Sequence, residues 1–316
     1  MTTSFNPRVV QEDRFPRERR RSPHSSAYVL YWRQKQLLVL RFPQGETAKQ
    51  LHPLCCLSVS SDPFQIAERL KRSPVRLVRV DSSLDEADIR VWADACEAAN
   101  KAIHLRLPTA AQLPQSNHLW WLKRLLDWGI AALMVILLSP VILTIIVLMR
   151  LYTPGPLFFQ QWRVGQRGKL FRVMKFRTMA VNAEQHHHQV MAGQAKNCLH
   201  KREDDPRITP LGRWLRRYSL DELPQLFNVL RGEMSLVGPR PWALYDAVRI
   251  RPDMRSRLNA LPGITGAWQV EARSTLLDLD SVNRRDLEYL RNWSFSGDLK
   301  ILLRTVPKVL SGFGAY

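Results

Sequence analysis

Asp221 and Glu222 stand side by side in "RRYSLDELPQLFNVLRGEMSLVGPRP", the stretch from Arg216 to Pro241. Adjacent carboxylates at this place admit two readings. In the first they only start a helix. Ser219 and Glu222 match an S-x-x-E capping box, Pro224 belongs in a first turn, and Gly232 suits the helix end. The acids then complement the helix dipole. In the second reading they act on a phosphate. A helix N-terminus also attracts anions, and the surrounding cations exceed what capping needs. Arg216 and Arg217 lie just upstream, Arg240 follows in "GPRP", Lys175 and Arg177 sit in "MKFRTM", and Arg207 and Arg213 in "DDPRITPLGR". Guanidinium groups grip phosphate through paired hydrogen bonds. A carboxylate held among cations stays ionised and attacks phosphorus once the phosphate's charge is screened. Its neighbour is available to hold the divalent cation that does the screening. Consecutive helix positions face different ways, which suits one acid to attack and the other to metal binding.

The next element implies a membrane context. From Trp128 to Met149 the chain reads "WGIAALMVILLSPVILTIIVLM" without a charge. At about 1.5 Å per residue such a run reaches across a hydrocarbon core of about 30 Å. Pro140 removes a backbone donor and clashes with the preceding turn, so the helix is expected to break at Ser139–Pro140. Lys123 and Arg124 precede the run, and Arg150, Arg163, Arg167, Lys169 and Arg172 follow it. Positive charge marks the cytoplasmic side, and here both flanks claim it. A re-entrant helix that enters and leaves by one face removes the conflict; a kinked span is the alternative. Near the end of the chain, "DLKILLRTVPKVL" carries a basic stripe (Lys300, Arg304, Lys308) and an apolar one (Leu299, Leu302, Leu303, Val306, Leu310). This is the pattern of an interfacial amphipathic helix, or of a core-facing helix with a solvated side.

The remainder organises as a basic arm at 1–26, a small α/β domain at 27–115, the membrane helix region at 116–152 and a catalytic domain at 153–316. In the α/β domain "AYVLYW", "LLVLRF", "CCLSV" and "VRLVRV" read as strands, and "SLDEADIRVWADACEAANKAIHL" as a helix. No glycine-rich phosphate loop occurs there. The net charge of +19 points to an anionic partner. The four cysteines form no zinc or disulfide pattern, and no secretory signal opens the chain, which points to reduced thiols facing the cytosol. "HHHQ" at 186–189 reads as a solvated loop, with a metal site as the alternative. A non-enzymatic, membrane-tethered basic module also accounts for charge and anchor, but gives Asp221 and Glu222 no purpose beyond capping.

From Trp121 to Tyr316 the sequence resembles the monotopic phosphoglycosyl transferases, the bacterial sugar transferase family. The resemblance is carried by "KRLLDWGIAALMVILLSPVI", "GPLFFQQWRVGQRGKLFRVMKFRTM", "DDPRITPLGRWLRRYSLDELPQLFNVLRGEMSLVGPRP", "LPGITGAWQV" and "DLKILLRTVPKVLSGFGAY". It implies a mostly α, membrane-associated catalytic domain with a re-entrant helix and amphipathic interfacial helices. It further implies transfer of a sugar 1-phosphate from a UDP-sugar to polyprenyl phosphate at the cytoplasmic face of the bacterial inner membrane, with release of UMP. On this resemblance Asp221 is the nucleophile that carries a phosphosugar, Glu222 with Asp221 holds Mg²⁺, and Arg216 binds phosphate. Lys175, Arg177 and Arg240 lie in matching motifs as phosphate or nucleotide contacts, and no nucleic acid is involved. Leu261, and Glu271-Ala272-Arg273 after "GAWQV", depart from the family pattern, so that loop's contacts and the identity of the sugar stay open.

Overall fold

The computed structural model describes residues 28–41, 62–107, 117–181, 183, 205–248, 251–271 and 279–312. The basic arm, "CCLSV" and the histidine run lie outside these residues.

The N-terminal unit is a four-stranded sheet in the order β1-β2-β3-β4. Strands β1 (Tyr28–Arg33) and β2 (Gln36–Arg41) form an antiparallel hairpin. Its two turn residues, Gln34 and Lys35, both have positive φ (47° and 64°), as a tight hairpin turn with matching twist requires. Strands β3 (Leu77–Asp81) and β4 (Ala102–Arg106) extend the sheet in parallel through helical crossovers. One crossover helix, α1 (Pro63–Arg72), is not evident in the sequence pattern; Asp62 caps it by accepting from the Phe64 N–H at 3.0 Å. The other, α2 (Glu86–Ala98), is shorter than expected. Asn100 turns left-handed (φ 52°) and ends it, so "AIHLR" is strand, and Ile103 enters the core from β4 rather than from a helical face. Val39, Val78, Val80, Ile89 and Trp92 fill the space between sheet and helices.

The charge-free run is two helices, α3 (Asn117–Leu137) and α4 (Ser139–Tyr152). They are bent by 58° at the expected break. Ser139 Oγ donates to the Ile136 carbonyl at 2.7 Å, re-satisfying part of the backbone that Pro140 disrupts. Among the described residues no single helix is long and apolar enough to cross a membrane, whereas the bent pair meets that test by length and composition. Lys123 and Arg124, the basic flank that precedes the run, are engaged by protein. Lys123 is buried with Nζ 2.6 Å from Asp298 Oδ2, and Arg124 donates to the carbonyls of Met234 and Val229 while covering the Trp128 ring. At the other end, Ile145 and Met149 of α4 are buried with Phe176 and Leu215. Both ends of the hairpin therefore dock on the same domain.

That domain is built on two small sheets. One has the order β6-β5-β8: β5 (Phe158–Val164) lies between β6 (Leu170–Phe176) and the short β8 (Trp242–Ala243), all antiparallel. The other pairs β7 (Ser235–Val237) with β9 (Gly263–Thr265) in parallel. Helices α5 (Pro210–Arg217), α6 (Gln225–Leu230), α7 (Leu244–Ala247), α8 (Ala267–Glu271), α9 (Leu279–Arg291) and α10 (Phe295–Ser311) surround them. Helix α10 continues through Pro307. Its Leu299, Leu303, Val306 and Leu310 are exposed, but Leu302, expected on that stripe, packs with Ile301 on the core. The N-terminal unit grips the first sheet from behind: Trp162 Nε1 donates to Asp94 Oδ1 at 2.7 Å, and Arg172 Nη2 lies 2.8 Å from both Asp94 and Glu97.

Candidate active site

Asp221 and Glu222 sit in a single 3-10 turn, Leu220–Glu222, that leads through Pro224 into α6. This departs from the capping box. Ser219 makes no side-chain cap bond and adopts a left-handed conformation (φ 52°). Such a conformation is strained for a residue with a Cβ. It reverses the chain between α5 and the turn, and presents the two acids toward the end of β6. Gly232 (φ 87°) closes the far end of α6 as expected.

Two elements converge on the acids, and a third lies beside them. From β6, Lys175 extends Nζ to 2.6 Å from Glu222 Oε1 and 3.9 Å from Asp221 Oδ2. From the last turn of α5, Arg216 donates through Nε to Thr178 Oγ1 at 2.8 Å. Burial pushes the pKa of Arg216 down, and the negative charge of Asp221 acts against that shift. An arginine stays charged under either influence, so a fixed cation faces the buried Asp221 carboxylate. The third element is β5. Burial, with the neighbouring Arg240, pushes the pKa of its Arg163 down to about 10, and Glu222 acts weakly against that shift; the guanidinium donates to the Pro241 carbonyl at 3.3 Å and to Gln161 Oε1 at 2.6 Å. Arg163 is the residue the sequence reading missed as part of the site, because it resembles one more flanking charge. The available signal was a cation between two apolar residues, Trp162 and Val164, both of which are buried on the strand.

Asn228, fully buried in α6, fixes this arrangement. Its Oδ1 accepts from the Met174 N–H at 3.0 Å and its Nδ2 donates to the Arg172 carbonyl at 2.8 Å. The helix that follows the acids is thereby clamped to the strand that carries Lys175.

The remaining expected contacts divide. Arg240, in the "GPRP" loop, lies over the Trp268 ring at 5.3 Å. Its carbonyl accepts from Arg257 Nη2 at 2.9 Å, and Arg257 is itself paired with Asp286 in the core. This buried pair holds the loop and leaves the Arg240 guanidinium beside Arg163. Arg177 is held by backbone. Its guanidinium donates to the carbonyls of Thr153, Pro154, Pro156 and Met179, so its hydrogens tie the end of α4 to the sheet. Arg207 forks onto Asp205, Nε to Oδ1 at 2.8 Å and Nη2 to Oδ2 at 2.5 Å, and both side chains are buried. These two arginines hold the chain that precedes α5, the helix that carries Arg216, and their guanidiniums are engaged by protein acceptors.

Among the described residues no group of three or more metal-ligating side chains occurs. The Asp221–Glu222 pair offers two carboxylates. That donor set suits Mg²⁺, which takes one or two carboxylates together with substrate phosphates and water, and does not suit an all-protein metal cage.

Residues 118–312 match the family model described as bacterial sugar transferase. Three curated relatives are informative. A galactosyl transferase, CpsE, of Streptococcus agalactiae is 44% identical over 162 residues, covering 51% of this chain and 36% of its own length. A UDP-glucose:undecaprenyl-phosphate glucose-1-phosphate transferase of Caulobacter vibrioides is 41% identical over 202 residues, covering 61% and 72%. The exopolysaccharide production protein ExoY of Sinorhizobium fredii is 38% identical over 206 residues, covering 61% and 88%. The chain thus spans little more than a third of the streptococcal relative, and its N-terminal α/β unit precedes the part that matches the family.

Proposed function

Since the chain belongs to the bacterial sugar transferase family, we propose that it transfers a sugar 1-phosphate from a UDP-sugar to polyprenyl phosphate, an early step in making a surface glycan. The relative from Caulobacter carries that reaction in its name. The observation that carries the reading is the convergence of Lys175 and Arg216 on two acids in one turn.

In this mechanism an Asp221 carboxylate oxygen bonds to the β-phosphorus of the UDP-sugar. The bond from that phosphorus to the oxygen bridging the two phosphates breaks, and the bridging oxygen leaves with UMP. A phosphate oxygen of the polyprenyl carrier then attacks the same phosphorus and expels the Asp221 carboxylate. Arg216 opposes the charge that builds on the phosphoryl oxygens, and Arg163 and Arg240 form the cationic wall on the other side. Lys175 holds Glu222 in place and brings a positive charge near Asp221. Glu222 and Asp221 would hold Mg²⁺, which supplies charge neutralisation for the diphosphate when bound.

The same reading places the apolar hairpin α3–α4 in the inner leaflet, entering and leaving at the cytoplasmic face of the bacterial inner membrane. The docking of both its ends on one domain supports this. The exposed apolar stripe of α10 adds an interfacial surface.

The test is release of UMP from a panel of UDP-sugars by membranes carrying the protein, with Mg²⁺ and polyprenyl phosphate. UMP is expected. UDP release would indicate an ordinary glycosyltransferase, and no release of either would leave a binding module. Asp221→Asn should abolish turnover without loss of membrane association, and the sugar phosphate trapped in mid-reaction should map to the peptide that contains Asp221.

A further inference from the structure

Between the N-terminal unit and the catalytic domain lies a cavity of about 380 Å³. Its volume falls within the range of small-molecule sites, which favour domain interfaces. The C-terminal end of α2 and the start of β4 form one wall, β5 and β6 the second, and the end of α6 the third. Four cations, Lys101, Lys169, Arg172 and Arg231, face two carboxylates, Glu97 and Glu233.

Their partners decide the sign of the site. Both carboxylates are engaged: Glu97 with Arg172 at 2.8 Å, and Glu233 with Asn228 Nδ2 at 2.7 Å. Arg172 is paired through Nη2 with Asp94 and Glu97, but the other three cations are poorly served. Arg231 donates through Nη1 to the thioether of Met174, a weak acceptor. Among the described residues Lys101 reaches the Ser73 carbonyl alone, at 3.4 Å. Among the described residues Lys169 has no ion-pair partner, and Arg172 Nε is buried without an acceptor. We propose that this interdomain cavity binds a small phosphate-bearing anion.

Such an anion lies far from Asp221 in function but not in structure. Asn228 bonds Glu233 and the Arg172 carbonyl in the cavity wall, and the Met174 N–H next to Lys175. A ligand held there braces the strand and helix that position the two acids, and ties the N-terminal unit to the catalytic domain. The proposal stands independently of which reaction the two acids perform.

The probe is inorganic pyrophosphate, titrated calorimetrically into the full-length protein in detergent. Each charge-assisted hydrogen bond is worth roughly tenfold or more in affinity. Saturable binding is expected in the native protein and in Lys175→Ala, with loss of at least about tenfold in the double variant Lys169→Ala/Arg231→Ala. Both of those side chains are solvent-facing, so the double variant should melt at the native temperature. Glu97→Gln relieves Arg172 of one partner and should tighten binding. Unchanged affinity in the double variant, loss confined to Lys175→Ala, weaker binding in Glu97→Gln, or no saturable binding at all would each overturn the proposal.

Discussion

Lys175 Nζ lies 2.6 Å from Glu222 Oε1 but 3.9 Å from Asp221 Oδ2. The lysine is hydrogen-bonded to one acid and acts on the other only through its field. It therefore separates the roles of two carboxylates that are adjacent in sequence. Lys175→Ala should lower kcat/KM for UMP release about 10²- to 10³-fold, the usual effect of removing one preorganised cation or donor. The melting temperature should move little, because a partly exposed ion pair adds little to stability. A loss below threefold would remove Lys175 from the site.

Gly212 lets α5 approach the strand end closely. A Cβ there would stand 2.0 Å from the Thr178 carbonyl oxygen. Arg216 is one turn further along α5 and bonds to Thr178 Oγ1. Gly212→Ala must push the helix outward and carry Arg216 with it. Overpacking of this kind costs about 1–3 kcal/mol, and a displacement near 1 Å in a positioned group can cost about 10²-fold in rate. Calorimetry and UMP release measure the two losses; a fully active Gly212→Ala would show that the Arg216 position is not critical.

The elements legible in the sequence are those set by local chemistry. The Ser139–Pro140 break follows from a missing donor, the two hairpin strands from short runs of β-branched, aromatic and other apolar residues, and the Asp221–Glu222 pair from the cations around it. What the sequence concealed depends on partners remote along the chain. Three of the four carbonyls on Arg177, those of Thr153, Pro154 and Pro156, and the Asp298 carboxylate on Lys123 come from other elements, and no spacing rule reveals them. Arg163 was hidden for the same reason, since its proximity to Arg240 requires β5 to pair with β8. The fourth strand reads as helix in the sequence because Ile103 continues a helical spacing that Asn100 interrupts with one positive φ. The Arg207–Asp205 fork was readable in principle, being two residues apart in "DPR", but phosphate binding offered a competing use for the same guanidinium.

That fork makes a pH prediction. The Arg207 guanidinium holds the Asp205 carboxyl below the usual carboxylate range, and Arg216 adds to the effect. A depressed pKa in the folded state means that the stabilisation is complete above the unfolded value, near pH ~4, and is lost as pH falls through the folded value. Asp205→Asn should cost roughly 2–3 kcal/mol at neutral pH, as expected for a charge-assisted pair of bonds. The difference in melting temperature between native and variant protein should close below about pH 4. A difference that stays constant from pH 7 to pH 3 would mean that Asp205 contributes shape and not charge.

The final prediction concerns the hairpin. A straight membrane span would carry the start of α3 and the end of α4 to opposite faces, about 30 Å apart. Here both ends are fastened to one domain. Lys123 is buried against Asp298, and Met149 is buried with Leu215, while Arg177 holds the Thr153 and Pro154 carbonyls just beyond α4. Separating the ends would expose a buried lysine and leave its carboxylate unpaired, at about 3–5 kcal/mol for such a pair, besides the apolar contacts. Single cysteines at Leu122 and Tyr152, both exposed positions, give a direct measurement in a background that lacks the four native cysteines. In intact cells neither should react with a membrane-impermeant maleimide, and both should react once the inner membrane is permeabilised. Labelling of one of them from outside would require the two ends to part, contrary to the docking of both on the catalytic domain.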